Sequence, residues 1–122
     1  MKLRFRENTI RLRVNRRELE NLASGAPLEE RVYFPGDACL RYVLETSTQS
    51  CPGASFADGT IRVSAPQHLV GDWAKHDTIG IYFDFPVNGS ELRVAVEKDL
   101  ECAEGPAEDR DPDAFPRSLK TC

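Results

Sequence analysis

Apolar and polar residues alternate along several short stretches of the chain. Leu3-Arg4-Phe5-Arg6 and Ile10-Arg11-Leu12-Arg13-Val14 are the first two, separated by the polar Glu7-Asn8. A period of two sends successive side chains to opposite faces of a strand, so these stretches predict a hairpin. Asn15 then suits a helix N-cap, with Glu18 three residues on in capping-box position. Leu19, Leu22 and Ala23 form the apolar stripe of that helix, and Gly25 followed by Pro27 stops it. Strands over 28–34 and 38–45 flank Pro35-Gly36-Asp37. A weak strand at 54–57 leads through Asp58-Gly59, the strongest hairpin turn in the chain, into a strand at 60–64. Residues 65–77 predict a second helix, with Pro66 near its start and Leu69, Val70, Trp73 and Ala74 on one face. Strands at 78–85 and 91–97 flank a turn containing Asn88-Gly89.

The order hairpin, helix, hairpin occurs twice. With Thr9 set on Thr60, Phe5 falls on Phe56, Ile10 on Ile61, Arg11 on Arg62, and Leu22-Ala23 on Trp73-Ala74. After a one-residue drift, Leu40, Arg41 and Glu45 fall on Leu92, Arg93 and Glu97. We read this as internal duplication of a ββαββ unit. The expected fold class is α+β: an eight-stranded antiparallel sheet, curled by its twist into a barrel or half-barrel, with two helices covering one face. Residues 1–101 form the single domain, with halves of about 1–50 and 51–101. Residues 102–122 form an acidic, Pro-containing C-terminal tail.

Alternation sorts the strand residues into two sets. Leu3, Phe5, Ile10, Leu12, Val14, Leu40, Tyr42, Leu44, Ile61, Val63, Leu92, Val94 and Val96 point to the core. Arg4, Arg6, Arg11, Arg13, Arg41, Arg62, Arg93, Glu45 and Glu97 point the other way. Arginine, unlike lysine, offers a planar fork of donors, and several forks on a concave sheet suit phosphates or carboxylates. Glu45 and Glu97 would orient those arginines or, with a phosphorylated ligand, share a magnesium ion. The same face also reads as a solvated surface of cross-strand Arg–Glu pairs.

The net charge of −4 is unevenly spread: residues 1–17 are strongly basic and residues 101–115 strongly acidic. The acidic run reads either as a solvated surface or as a tail able to fold over the basic one. Phe115-Pro116 would pin it to the domain. No aromatic residues interleave with the arginines, which with the acidic balance argues against nucleic acid as a partner. No apolar run is long enough to span a membrane. The charges of the first residues exclude the apolar core of a signal peptide, so a cytoplasmic location is expected. Cys39, Cys51, Cys102 and Cys122 form no metal-ligand spacing; reduced thiols are expected, with Cys39 and Cys51 as small buried hydrophobes. No nucleophile motif, P-loop, zinc motif or dinucleotide fingerprint occurs, and His68, His76, Asp72 and Asp77 read as surface residues.

The opening LRFRENTIRLRVNRREL and the closing VEKDLEC and EDRDPDAFP together resemble a family of small uncharacterised bacterial proteins. The matching positions are Lys98, Asp99, Cys102, Asp113, Phe115 and Pro116. The resemblance implies no activity. Arg117-Ser118 stands where that family has Asn-Pro. The duplicated unit is also similar to the CYTH-like triphosphate tunnel barrels, which bind triphosphates with inward Arg and Lys and hold metal with glutamates. Their ExExK strand is replaced here by KLRFR. The reading favours a non-enzymatic binding domain for an anionic ligand, without cofactor. A metal-dependent phosphohydrolase of tunnel type, using magnesium, and a protein-interaction module using the acidic tail are the alternatives.

Overall fold

The computed structural model describes residues 1–100. The elements run β1 (Lys2–Arg6), β2 (Thr9–Val14), α1 (Arg16–Ala23), β3 (Leu28–Phe34), β4 (Ala38–Ser47), β5 (Gly53–Ala57), β6 (Thr60–Pro66), α2 (Gln67–Lys75), β7 (Gly80–Val87) and β8 (Ser90–Lys98). Local chemistry accounts for most of them. Asn15 Oδ1 accepts from the Glu18 amide at 2.8 Å, and the Glu18 carboxylate accepts from the Asn15 amide at 2.9 Å, which closes the expected capping box. Asp58 and Gly59 adopt φ of 51° and 71°, the left-handed pair of a tight hairpin turn. A Cβ on Gly59 would also lie 2.9 Å from the Cys39 carbonyl oxygen.

The class is α+β, but the eight strands form two four-stranded mixed sheets, not one antiparallel sheet. Sheet A has the order β1-β2-β8-β7 and sheet B the order β3-β4-β6-β5. Each sheet takes one hairpin from either side of residue 50 and joins them by a central parallel pair, β2–β8 or β4–β6. No pairing among the described residues links the sheets, so no barrel closes. Turn residues specify each hairpin locally. Which hairpins then meet side by side depends on contacts beyond the reach of any turn, from Arg41 to Thr60 in one sheet and from Thr9 to Arg93 in the other, and antiparallel hairpins can join through a parallel seam. Thr9 opposes Arg93 in one seam and Thr60 opposes Arg41 in the other.

One core serves both sheets and both helices. Leu12, Val14, Val94 and Val96 from sheet A and Leu44 and Val63 from sheet B pack with Leu19 and Leu22 of α1 and Val70 and Trp73 of α2. The Trp73 indole is buried and its Nε1 donates to the Ile79 carbonyl at 2.9 Å, which satisfies its polar edge. Phe5 departs from its expected core place. It sits near the turn of its hairpin, a strand length from the point where α1 begins, and is 57% exposed. Cys39 and Cys51 are likewise exposed, not buried: Cys39 shares the outward face of β4 with Arg41, and Cys51 lies in the segment before β5. No helix of the described residues is long and apolar enough to cross a membrane.

Candidate functional site: two arginine faces

The nine charged residues expected on one concave sheet are divided between two sheets. Sheet A holds Arg4, Arg6, Arg11, Arg13, Arg93 and Glu97; sheet B holds Arg41, Arg62 and Glu45. In both, the alternation that buries Leu12, Val14, Leu44 or Val96 turns the charged residues away from the shared core. This is opposite to the inward arginines of a tunnel barrel.

On sheet A, antiparallel pairing sets Lys2, Arg4 and Arg6 opposite Arg13, Arg11 and Thr9. Parallel pairing sets Arg93, Ala95 and Glu97 beside Thr9, Arg11 and Arg13, and Asp84 of β7 opposes Arg93. Arg11 Nε lies 3.0 Å and Arg13 Nε 3.9 Å from Glu97 Oε1. Tyr82 donates its hydroxyl to Glu97 Oε2 at 2.8 Å. Arg93 Nε donates to Asp84 Oδ1 at 3.0 Å, and that hydrogen bond, then the carboxylate charge, raises the guanidinium pKa. At the strand end, Lys2 Nζ lies 2.8 Å from Asp99. The face carries six cations (Lys2, Arg4, Arg6, Arg11, Arg13, Arg93) against four carboxylates (Asp84, Glu91, Glu97 and, at its end, Asp99).

Sheet B repeats the central pairing with fewer charges. Arg62 Nη1 donates to Glu45 Oε1 at 2.7 Å. Glu29 accepts from Arg31 Nε at 2.8 Å and lies 3.5 Å from Arg41 Nη2. The Arg31 hydrogen bond depresses the Glu29 carboxyl against a smaller opposing effect of burial, and the charges of Arg41, Arg31 and Arg62 add to it. Three cations (Arg31, Arg41, Arg62) meet two carboxylates (Glu29, Glu45). A recess of about 380 Å³ lies here beside Arg41, Arg62, Ser55, Thr60 and Asp58.

The expected orienting role of Glu45 and Glu97 has a geometric counterpart, since each accepts an arginine. Their sharing of one metal ion does not: they lie on different sheets. Among the described residues no group of three or more His, Cys, Asp or Glu could hold a metal. Lys98 and Asp99 end β8, where Lys98 Nζ donates to the His76 carbonyl at 2.6 Å and the Asp99 amide to the Val14 carbonyl at 2.8 Å. Cys102, Asp113, Phe115 and Pro116 lie outside the described residues.

Sequence reasoning missed Glu29, Tyr82 and Asp84 as partners of the arginines. Glu29 stands two residues from Arg31, and Asp84 breaks the apolar run of β7; either was the available signal. It also missed a cavity of about 460 Å³ between the sheets, lined among others by Phe5 and Phe56, Ile10 and Ile61, and Leu40 and Leu92. Those three pairs are the ones the alignment of the two halves superimposes.

Neither the curated proteins nor the solved structures contain a match to this chain. The model of DUF7009, a family of unknown function, matches residues 1–119, and the chain belongs to that family.

Proposed function

We propose that this chain is a non-enzymatic binding domain for a phosphate- or carboxylate-bearing ligand, taken up on the outer face of sheet A. The observation that carries this reading is the excess of cations there. Glu97 and Asp84 are engaged by Arg11, Arg13 and Arg93. The edge strand β1 adds Lys2, which Asp99 engages, and Arg4 and Arg6, whose in-register neighbours Arg11 and Thr9 include no carboxylate. Arginine forks held by an adjacent carboxylate are preoriented, so less side-chain freedom is lost on binding. Sheet B is near electrical balance and supports the reading less.

In this proposal the two halves arose by duplication of a ββαββ unit. The equivalent seams Thr9–Arg93 and Thr60–Arg41, and the equivalent pairs Arg11–Glu97 and Arg62–Glu45, favour it. One half then kept a neutral edge strand while the other carries the cationic one.

The test is thermal unfolding with phosphate, tripolyphosphate and citrate, with and without magnesium, at two salt concentrations. A ligand at a hundred times its Kd stabilises the fold by ~2.7 kcal/mol. The expected result is a shift with the polyanions, independent of magnesium, lost in Arg4→Ser/Arg6→Ala and kept in Arg41→Ala. Equal loss in both variants, or no shift with any anion, would overturn the reading. A shift that requires magnesium would favour the phosphohydrolase alternative.

A further inference from the structure

We infer that the acidic segment 101–115 of this same chain docks across the outer face of sheet A and competes there with external anions. The inference rests on the reading that this face takes up carboxylates or phosphates, and adds which carboxylates occupy it first.

Three observations converge. The first is where the described chain ends. β8 is an inner strand of sheet A, and Asp99 follows its last residue, Lys98. Asp99, just past the strand, donates its amide to Val14 at 2.8 Å, and its carboxylate lies 2.8 Å from Lys2 Nζ. The first acidic residue beyond β8 is thus already paired with a cation of the edge strand β1.

The second is charge. Residues 101–115 contain six acidic residues and one arginine. Sheet A has six cations against four carboxylates on its outer face, Asp99 included, whereas sheet B has three against two. The larger cation excess thus lies on the sheet whose Lys2 already pairs with Asp99. Carboxylates on guanidinium forks make charge-assisted, often bidentate hydrogen bonds.

The third is reach. The rows of the face run from Arg13–Glu97 to Thr9–Arg93. That is four residues of strand, about 13 Å. Fifteen residues of extended chain span up to ~50 Å, enough to cross the face with slack. A tethered segment has an effective concentration in the millimolar range, so weak individual contacts suffice to compete with a free ligand.

The experiment uses the full chain labelled with 15N and a full-length variant, Glu104→Gln/Glu108→Gln/Asp109→Asn/Asp111→Asn/Asp113→Asn. Each of the five substitutions removes a charge and nearly preserves side-chain size. Backbone amide signals of β1, β2 and β8 and the Nε–H signals of Arg4, Arg6, Arg11, Arg13 and Arg93 are compared between the two chains. Those of β4, β6, Arg41 and Arg62 serve as internal controls. The expected result is a change confined to sheet A. About 1 M salt, with its ~3 Å screening length, should move the natural chain's signals toward those of the variant. Tripolyphosphate should then bind the variant at least about tenfold more tightly. Unchanged sheet A signals, or changes centred on sheet B, would overturn the inference. If sheet A signals differ but tripolyphosphate binds neither chain, the tail contact stands and the external-ligand reading falls.

Discussion

The edge strand β1 lays Lys2, Arg4 and Arg6 on the outer face of sheet A, where its counterpart β5 lays Gly53, Ser55 and Ala57 on sheet B. The strands beside them are alike: Arg11 pairs with Glu97 in one sheet and Arg62 with Glu45 in the other. Each sheet therefore sets an arginine of one inner strand against a glutamate of the other, which adds cross-strand adhesion without net charge. Lys2 of β1 is answered by Asp99, whereas Arg4 and Arg6 have no carboxylate in register. Features common to both faces are accounted for by holding sheets together, whereas a feature present on one face alone needs another explanation. Small neutral residues on β5 also show that the edge of such a sheet does not need arginines to fold.

The comparison can be tested first where the sheets should not differ. Leu12→Ala in sheet A and Leu44→Ala in sheet B each remove a fully packed side chain from the common core. Each should cost ~2–5 kcal/mol in urea unfolding, with a single cooperative transition. A loss confined to one sheet's signals would mean that the two do not share a core.

The next test exchanges the edge strands. Arg4→Ser/Arg6→Ala makes β1 resemble β5 and should weaken tripolyphosphate binding about tenfold or more, one charge-assisted contact being worth ~1.5–3 kcal/mol. Ser55→Arg/Ala57→Arg on sheet B should create a second, weaker anion site, seen by calorimetry as an increased stoichiometry. Retained affinity in the first variant would leave the β1 arginines as guards of an exposed sheet edge.

Smaller effects separate the paired arginines. Double-mutant cycles on Arg11–Glu97 and Arg62–Glu45 should give couplings of ~0.2–1 kcal/mol, from denaturant unfolding. The value should be larger for sheet A, where the Glu97 side chain is 13% exposed against 32% for Glu45. The smallest effect concerns acid. Glu29 on sheet B has its carboxyl lowered below 4.5, so it contributes stability above that pH and loses it as the pH falls through the lowered value. The residue in the corresponding register position of sheet A is Tyr82, which carries no carboxyl group. Glu29→Gln should therefore flatten the stability profile below about pH 5 and leave it parallel to the natural chain's near neutrality.

Local chemistry was legible to a high degree. Asn15 and Glu18 announce the first helix, Asp58-Gly59 and Asn88-Gly89 announce two hairpins, and alternation separates Leu12 and Val14 from Arg11 and Arg13. Exceptions occur where burial depends on what covers a strand. Phe5 has the pattern of a core residue, yet α1 and α2 do not reach the turn end of β1. Ala95, between Arg93 and Glu97 on the outer face, is nevertheless buried, flanked by Arg11 and Tyr82. Glu45 and Glu97 were recognisable because their positions match in the aligned sequence, whereas Asp84 and Glu29 become partners of arginines only through strand register.

The sequence alone determined two helices, the hairpins and the division of each strand into an apolar and a charged side, because turns, caps and periodicity act over a few residues. Only the tertiary structure decided that β2 joins β8 and β4 joins β6 in parallel, which splits the arginines between two faces. That choice depends on burying both helices and both apolar faces in one core, a free energy set by residues far apart in the chain.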